Sequence, residues 1–489
     1  MIVAFRADGG APGTGLGHIM RCIAIAEALI LQNHKVFFIC HDYPAARKIL
    51  LDRGYKVKWV PSDVIEEEDR NLTIEYAEEA DWIIVDSYTI GDDYLTFLVL
   101  NLPGKVAYLD DKAELNMGVH LVLGNAYALP EEYVDKAAFF TCLFAGPRYL
   151  PLRQEFTNLP PHKINPDLQR LLITFGGEDQ QNITQSIVEA VQAYDTHPLH
   201  LDILIGPAYS HLESLKKLLA SSKHTYTLHH GLTHVTPLFQ EVDAAITAGG
   251  TTVWELAACG VPMIVLQAAD NQKKVIQYLL ENKMAIALDR YKLSQALDKL
   301  FNADLRRELS QNAQKKIDGR GAERIIAILN SKCDEIFLQP PPLDPLSPES
   351  QLMWKWRNDP ITRSMSRSTS PISLEEHLKW YEKAITDPTK TLLFAYNEEK
   401  MIGVVRFDST KPQIATISIN LDPDLRGKGL GKAVLFAACS YGYRKLRLMQ
   451  IDAEVKSDNV ASLRIFSEVG FVTKGEAAPS DFLQLSLEF

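Results

Sequence analysis

Short, nearly continuous apolar runs alternate with longer amphipathic stretches through the first two-thirds of the chain. Met1–Arg6, Lys35–Cys40, Trp82–Val85, Val106–Leu109 and His120–Leu123 read as strands, most of them ending in polar or glycine residues. After the first run comes a loop, Ala7–Leu16, and then Ile19, Cys22, Ile23, Ala26 and Leu29 at helical spacing. The alternation resumes with Leu171–Phe175, Leu201–Ile205, Val242–Thr247 and Met263–Leu266. It predicts two Rossmann-like α/β units, at 1–157 and 158–336. Arg290–Ile328 is helical and heavily charged and reads as a solvated face.

The pattern then breaks. Phe337–Ser350, FLQPPPLDPLSPES, carries five prolines, which fit neither a helix interior nor a central strand. A semi-rigid linker is expected over 337–350. Beyond it, 351–489 reads as a separate α/β unit. Met353–Asn358 and His377–Ala384 are helical, and Thr391–Tyr396, Met401–Phe407 and Ile414–Leu421 are strands.

Composition narrows the class. The chain has 489 residues, 46% hydrophobic and 23% charged, which suits several globular domains. A net charge of −11 argues against a nucleic-acid binder. No apolar run reaches the ~18 residues of a membrane span, and MIVAFRADGG lacks a signal-peptide layout. Six scattered cysteines, with no CxxC pair, read as buried thiols of a reducing compartment. A cytoplasmic protein is expected.

The richest stretch for chemistry is Ala248–Pro262, AGGTTVWELAACGVP. It reads as strand end, glycine turn, short helix and glycine stop. Gly249 and Gly250 permit a tight turn and close approach of a ligand. The helix start at Thr251-Thr252 then offers N–H groups to a diphosphate, and Glu255, one turn on, can accept from a ribose diol. A βαβ corner whose glycines serve packing alone is the competing reading. His18 follows the first strand at a strand-to-helix loop, the edge where open α/β sheets bind ligands. It suits a catalytic base or a locally bonded helix-start residue equally. Asp86-Ser87-Tyr88, Asp110-Asp111 and Asn125 end strands on the same expected edge. His229, His230 and His234 have no supporting carboxylate spacing, and no metal site is expected.

GG-T-x-x-x-E-x-x-x-x-G-x-P resembles the nucleotide-diphosphate site of GT-B fold enzymes, which bind UDP-sugars between two Rossmann domains. The N-terminal pattern F-R-x-D with G-H-x-x-R-C narrows this. Phe5, Arg6, Asp8, Gly15, Gly17, His18, Arg21 and Cys22 resemble the UDP-sugar hydrolases of pseudaminic acid biosynthesis. These remove UDP from 2,4-diacetamido-2,4,6-trideoxy-β-L-altropyranose with inversion. The resemblance implies catalytic roles for His18, Tyr88 and Asn271. It places Gly15, Gly17, Arg153 (in an LRxEF segment), Gly177, Asn182, Gly249, Gly250, Thr251, Thr252, Glu255 and Gln272 near UDP or the sugar. The loop GGAPGTGLG is longer than the family's, so Gly15 is placed less firmly than His18.

In the last unit, Asp422–Gly431, DPDLRGKGLG, follows a strand and precedes a helix. Such a turn can hold a pyrophosphate. With Asn459-x-x-Ser462-x-x-x-Phe466-x-x-x-Gly470-Phe471 it resembles the GCN5-related N-acetyltransferases, which use acetyl-CoA as co-substrate. The resemblance places Leu421, Leu425, Arg426, Gly427, Gly429, Gly431, Lys432, Asn459, Ser462 and Phe466 around acetyl-CoA. Trp356–Trp380 further resembles the branch that acetylates the 4-amine of a UDP-linked amino sugar. Many members carry a tyrosine acid where Phe466 stands; Tyr441, Tyr443, Ser462 or water are substitutes, or no acid is needed. The expected fold is therefore a GT-B-like pair of Rossmann domains followed by an acetyltransferase domain, acting on a UDP-amino sugar and acetyl-CoA. A glycosyltransferase fused to a protein acetyltransferase or CoA-binding module is the alternative.

Overall fold

A computed structural model describes residues 1–489 apart from 12–14, 117, 125–131, 134–135, 139, 178, 195, 289–291, 478–480 and 489. Of 271, 476 and 477 it describes the backbone alone.

The apolar runs form three sheets. The first is entirely parallel: β1 (Ile2–Ala7), β2 (Lys35–His41), β3 (Val57–Val60), β4 (Trp82–Asp86), β5 (Lys105–Asp110), β6 (Leu121–Gly124) and β7 (Cys142–Ala145), in the order 3-2-1-4-5-6-7. The second is also parallel: β8 (Arg170–Thr174), β9 (His200–Ile205), β10 (Thr225–His230), β11 (Ala244–Ala248), β12 (Met263–Leu266) and β13 (Ala285–Ala287), in the order 10-9-8-11-12-13. Strand order reverses between β1 and β4 and between β8 and β11. In open α/β sheets, ligands bind outside the carboxyl ends of the strands at such a point.

The third sheet is mixed: β14 (Ile336–Gln339), β15 (Lys390–Asn397), β16 (Lys400–Lys411), β17 (Ile414–Leu421), β18 (Gln450–Lys456), β19 (Val472–Ala477) and β20 (Phe482–Glu488), in the order 14-15-16-17-18-20-19. Its one parallel pair, β17 with β18, is in register only from Ile414–Gln450 to Thr416–Asp452. Both strands continue past that point, so their facing edges part.

Two compact units result, and their boundaries differ from those the sequence suggests. One contains Met1–Tyr149 together with Glu323–Phe489, the other Leu150–Ala322. The first and third sheets thus belong to one body. Helix α4 (Leu430–Lys445) ties them together. Phe436 meets Phe144 edge-on at 5.4 Å, and Tyr443 sits in the core of the first sheet with Leu143 and Val122. Ser440 Oγ accepts from the Leu143 N–H at 2.9 Å. The buried Arg444 guanidinium donates to the carbonyls of Thr141, Ala137 and Ala138. Lys105 pairs with Asp334 at 2.6 Å.

Two expectations are corrected here. Phe337–Gln339, assigned to the linker, complete β14, antiparallel to β15. The proline run that follows is held as well: Tyr381 donates to the Pro342 carbonyl at 2.9 Å, and Ser347 caps helix α3 (Pro348–Arg357) with proline in its first turn. The charged helices after residue 290 are not simply a solvated face. Leu293, Leu297, Leu300 and Leu309 enter the core of the second sheet, because one face of each helix is apolar, and even the charged Arg306 and Arg324 are buried.

Candidate active sites

At the β1/β4 switch point of the first sheet, helix α1 (Gly17–Leu31) starts without a side-chain cap. His18 lies in its first turn, with Nδ1 2.5 Å from Asp86 Oδ1 at the end of β4. Arg21, one turn along the same face, grips both oxygens of Asp86 and both oxygens of Asp111 at 2.8 Å. Burial disfavours the Arg21 charge, but the two carboxylates hold its pKa well above the usual guanidinium range. Tyr88 donates to Asp111 Oδ2 at 2.7 Å and meets the His18 ring edge-on at 4.3 Å. Burial and Asp111 together push the Tyr88 hydroxyl far up, so it stays a donor. Among the described residues, Asp86, Arg21 and Tyr88 face His18.

With Asp86 accepting from Nδ1–H, the Nε2 lone pair is the one available for chemistry. A fixed tautomer of this kind is what a general base requires.

A second ring of polar groups anchors the loop after β1. Asp8 accepts from Arg6 at 2.5 Å, His41 at 2.8 Å and Ser87 at 2.5 Å. Arg6 also binds Asp69 at 2.8 Å. Burial raises the cost of the Asp8 charge, yet Arg6 and His41 hold the carboxyl far below the usual carboxylate range. Gly15 and Gly17 flank the start of α1; both have room for a Cβ. Asn125 lies outside the described residues.

In the second unit, the turn after β11 is as tight as the sequence implies. A Cβ on Gly249 would come within 2.7 Å of Ile276 Cγ1, so a larger residue there forces the Ile276 side chain to shift. Helix α2 (Thr252–Cys259) begins at the β8/β11 switch point without a side-chain cap, and Gly260 ends it in the left-handed conformation, φ +72°. Gln272 accepts from the Ala268 N–H at 2.9 Å, and its Nε2 lies 4.0 Å from where a Cβ on Gly250 would stand. Gln272 therefore sits beside the turn. The Asn271 side chain lies outside the described residues.

Glu255 is bound by Arg153 at 3.0 Å, and Arg153 also pairs with Glu155 at 2.7 Å. Burial pushes the Glu255 pKa up and Arg153 opposes that shift. Gly177 contributes backbone: a Cβ on Gly206 would lie 2.2 Å from its carbonyl oxygen. Asn182 is engaged locally. Its Oδ1 accepts from Tyr209 at 2.6 Å and its Nδ2 donates to Gln185 at 3.0 Å. Asn182 thereby ties the turn to Tyr209 and to the first turn of the following helix. His229 is likewise committed, 2.9 Å from Asp202, which Arg170 also holds.

In the third sheet, the turn from β17 into α4 is glycine-dependent. Gly427 and Gly429 have φ of +77° and +80° with no atom within 4 Å of an added Cβ. The uncapped start of α4 thus opens onto clear space, which suits a pyrophosphate. Gly431 brings α4 close to its neighbours; a Cβ there would be 3.0 Å from Leu421 and 3.3 Å from Ile465. Lys432 pairs with Glu468 at 3.2 Å. Leu425 ends the short turn Pro423–Leu425.

Several residues expected around acetyl-CoA also hold the frame. Arg426 binds Asp359 and Thr362, each at 2.7 Å. Asn459 caps helix α5 (Val460–Val469) by accepting from the Ser462 N–H at 3.1 Å. Phe466 is buried edge-on against Phe471, centroids 4.8 Å apart. Tyr443 is buried in the core of the first sheet, which removes it as a proton donor. Burial pushes the Tyr441 hydroxyl up.

The most consequential residues outside the expected catalytic set are Asp86 and Arg21 as an ion pair around His18, and Asp111 behind them. A legible signal existed in the i, i+3 spacing of His18 and Arg21.

Residues 343–472 match the acetyltransferase (GNAT) domain family, and 170–326 match the glycosyltransferase family 28 C-terminal domain. An uncharacterized protein of Methanocaldococcus jannaschii, MJ1062, is 23% identical over 96% of each chain. The spore coat polysaccharide biosynthesis protein SpsG of Bacillus subtilis is 24% identical, covering 67% of this chain and 98% of that protein. The acetyltransferase PseH of Campylobacter jejuni is 28% identical, covering 29% of this chain and 87% of that one. The crystal structure of Acinetobacter baumannii MurG superposes with a TM-score of 0.50 at 16% identity, covering 67% of this chain and 99% of that one. The chain therefore joins GT-B-like parallel-sheet domains to a C-terminal GNAT domain. No helix among the described residues is long and apolar enough to cross a membrane.

Proposed function

We propose that the chain carries out two successive steps on one nucleotide-linked amino sugar. The GNAT domain acetylates the 4-amine of a UDP-4-amino-4,6-dideoxy-L-AltNAc. The GT-B-like part then hydrolyses the diacetamido sugar from UDP. The fused GNAT match and the PseH and SpsG relatives support a sugar-nucleotide pathway. The observation that carries the hydrolytic step is the His18–Asp86 pair at 2.5 Å on a strand edge.

In the acetylation step the amine nitrogen attacks the thioester carbonyl. The C–N bond forms, the C–S bond breaks, and the amine proton passes to solvent. Phe466 has no proton to give. A thiolate whose parent thiol has a pKa near 8.5 leaves without one and takes a proton from water. In hydrolysis, His18 Nε2 takes a proton from a water as it bonds to C1. The C1–oxygen bond breaks and its electron pair stays on UDP. In the first unit Gly15 and Gly17 shape the edge beside His18, and Tyr88 walls its ring. The second unit, taken by itself, offers the α2 start at Thr251-Thr252 to a diphosphate, Glu255 with Arg153 to a ribose, and Gly177 and Gln272 to sugar or phosphate. No metal enters this scheme.

The test is to incubate the full chain with UDP-4-amino-4,6-dideoxy-β-L-AltNAc, with and without acetyl-CoA, and follow free UDP. Release that depends on acetyl-CoA supports both steps and their order. The family 28 match favours one alternative, sugar transfer to an acceptor other than water. It predicts no UDP release from pre-acetylated sugar until an acceptor is added.

A further inference from the structure

We propose that Arg363, backed by Arg357, forms an anion subsite for the diphosphate of the sugar-nucleotide acceptor in the acetyltransferase domain. The inference rests on the sugar-nucleotide reading above.

The segment after α3 spans the parting strands β17 and β18. Thr362 Oγ1 bonds Asn420 Oδ1 of β17 at 3.4 Å. Arg367 pairs with Glu454 of β18 at 2.8 Å, and Lys456 of β18 donates to the Ser364 carbonyl at 3.2 Å. The segment therefore covers β17 and β18 past the point where their pairing ends.

Its cations fall into two groups. Arg367 has Glu454, Arg426 has Asp359 at 2.7 Å, Arg406 has Asp408 at 2.9 Å and Lys456 has Asp458 at 3.6 Å. Arg357 and Arg363 have no carboxylate partner among the described residues. Arg357 Nη2 donates to the Ser368 carbonyl at 2.9 Å. Arg363 donates to the carbonyls of Thr369 at 3.0 Å and Asn358 at 3.2 Å. The two guanidiniums thus bond to consecutive carbonyls, side by side. Arg357 Nη1 is buried with no acceptor. Burial, and then the Arg363 charge, lower the Arg357 pKa; the pair repels itself.

Two adjacent cations with no carboxylate partner among the described residues, and with a donor left over, match a polyanion. The planar guanidinium fork suits phosphate oxygens. Two diphosphates reach this domain, that of the acceptor nucleotide and that of CoA. The open turn at Gly427–Gly429 already offers CoA a cradle, which leaves the arginine pair for the acceptor.

Phenylglyoxal labelling of the full chain, resolved by peptide mass spectrometry, tests this without needing turnover. UDP is expected to slow labelling of Arg363 by about tenfold, as befits one or two charge-assisted hydrogen bonds, and CoA to leave it unchanged. Protection by CoA but not UDP overturns the assignment to the acceptor, and protection by neither overturns the subsite. UDP held in the second unit does not confuse the result, because the readout is per residue. If UDP protects Arg363 yet no sugar nucleotide is acetylated, the subsite stands and the amino-sugar reading falls. Where acetylation is measured, R363Q is expected to raise the acceptor KM about tenfold with the acetyl-CoA KM and Tm unchanged, and R363K to recover part of the loss. A purely structural role would lower Tm and leave UDP protection absent in the unmodified chain.

Discussion

His18 Nδ1 and Asp86 Oδ1 are 2.5 Å apart, although 68 residues separate them in sequence. Asp86 does not face the histidine alone, because Arg21 grips the same carboxylate. On the hydrolytic reading, H18A removes the base and lowers UDP release by about 10²–10⁴-fold. D86N frees the imidazole to take the wrong tautomer and is expected to cost about 10²-fold. UDP affinity, read by calorimetry, should be unchanged in both. Full turnover in H18A would remove His18 from the chemistry.

Replacing Arg21 tests the ion pair itself. In R21Q the buried Asp86 carboxylate loses both of its guanidinium hydrogen bonds, and Asp111 loses its own pair. A buried charge left without its partner is costly, so R21Q should lower stability by about 3 kcal/mol, read by urea unfolding at neutral pH. An unchanged unfolding midpoint would show that Arg21 does not hold the two carboxylates.

Asp8 makes a separate prediction for stability. Its folded pKa is depressed, chiefly by Arg6 against the opposing cost of burial. Its contribution is therefore present above the unfolded carboxylate pKa of about 3.9, and is lost as pH falls below that value. D8N should cost about 3 kcal/mol near neutral pH and flatten the acid side of the stability profile. Urea unfolding between pH 3 and 7 reads both. An unaltered acid slope would transfer that role to other carboxylates.

The junction of the first and third sheets depends on Arg444, which donates to three carbonyls while buried. R444A leaves those oxygens unsatisfied and should cost about 3 kcal/mol. A chain ending before β14 should expose the β7 face and aggregate. If the 1–335 fragment instead stays monomeric with unchanged Tm, the two sheets are independent.

Glu255 shares Arg153 with Glu155. E255Q removes the charge that both Arg153 and a ribose diol would use. UDP affinity should fall about tenfold, the worth of one charge-assisted hydrogen bond, with little change in Tm. A drop in Tm without a change in UDP affinity would mark Glu255 as structural.

The glycine turns were legible because they are local. Gly249, Gly427 and Gly429 are constrained by backbone conformation or close approach, and a strand–turn–helix pattern states that requirement in consecutive residues. The expected Rossmann strands were legible for the same reason, since burial on both faces writes itself as unbroken apolar runs. Side-chain roles were less so. Arg426, Asn182 and Asn459 stand at positions a ligand would favour, yet their partners are Asp359, Tyr209 and the Ser462 backbone. Sequence spacing fixes where a side chain starts, and competing partners decide where it ends.

What the sequence determined by itself, then, was the α/β class, the most apolar strands of each sheet and the two phosphate-suited turns, all governed by short-range periodicity and backbone freedom. Tertiary structure alone decided that the proline-rich segment enters a sheet and is packed down, that α4 serves the cores of two sheets at once, and that His18 meets Asp86 across the switch point. Each of these depends on contacts between residues tens to hundreds of positions apart, and the local pattern of either partner carries no record of the other.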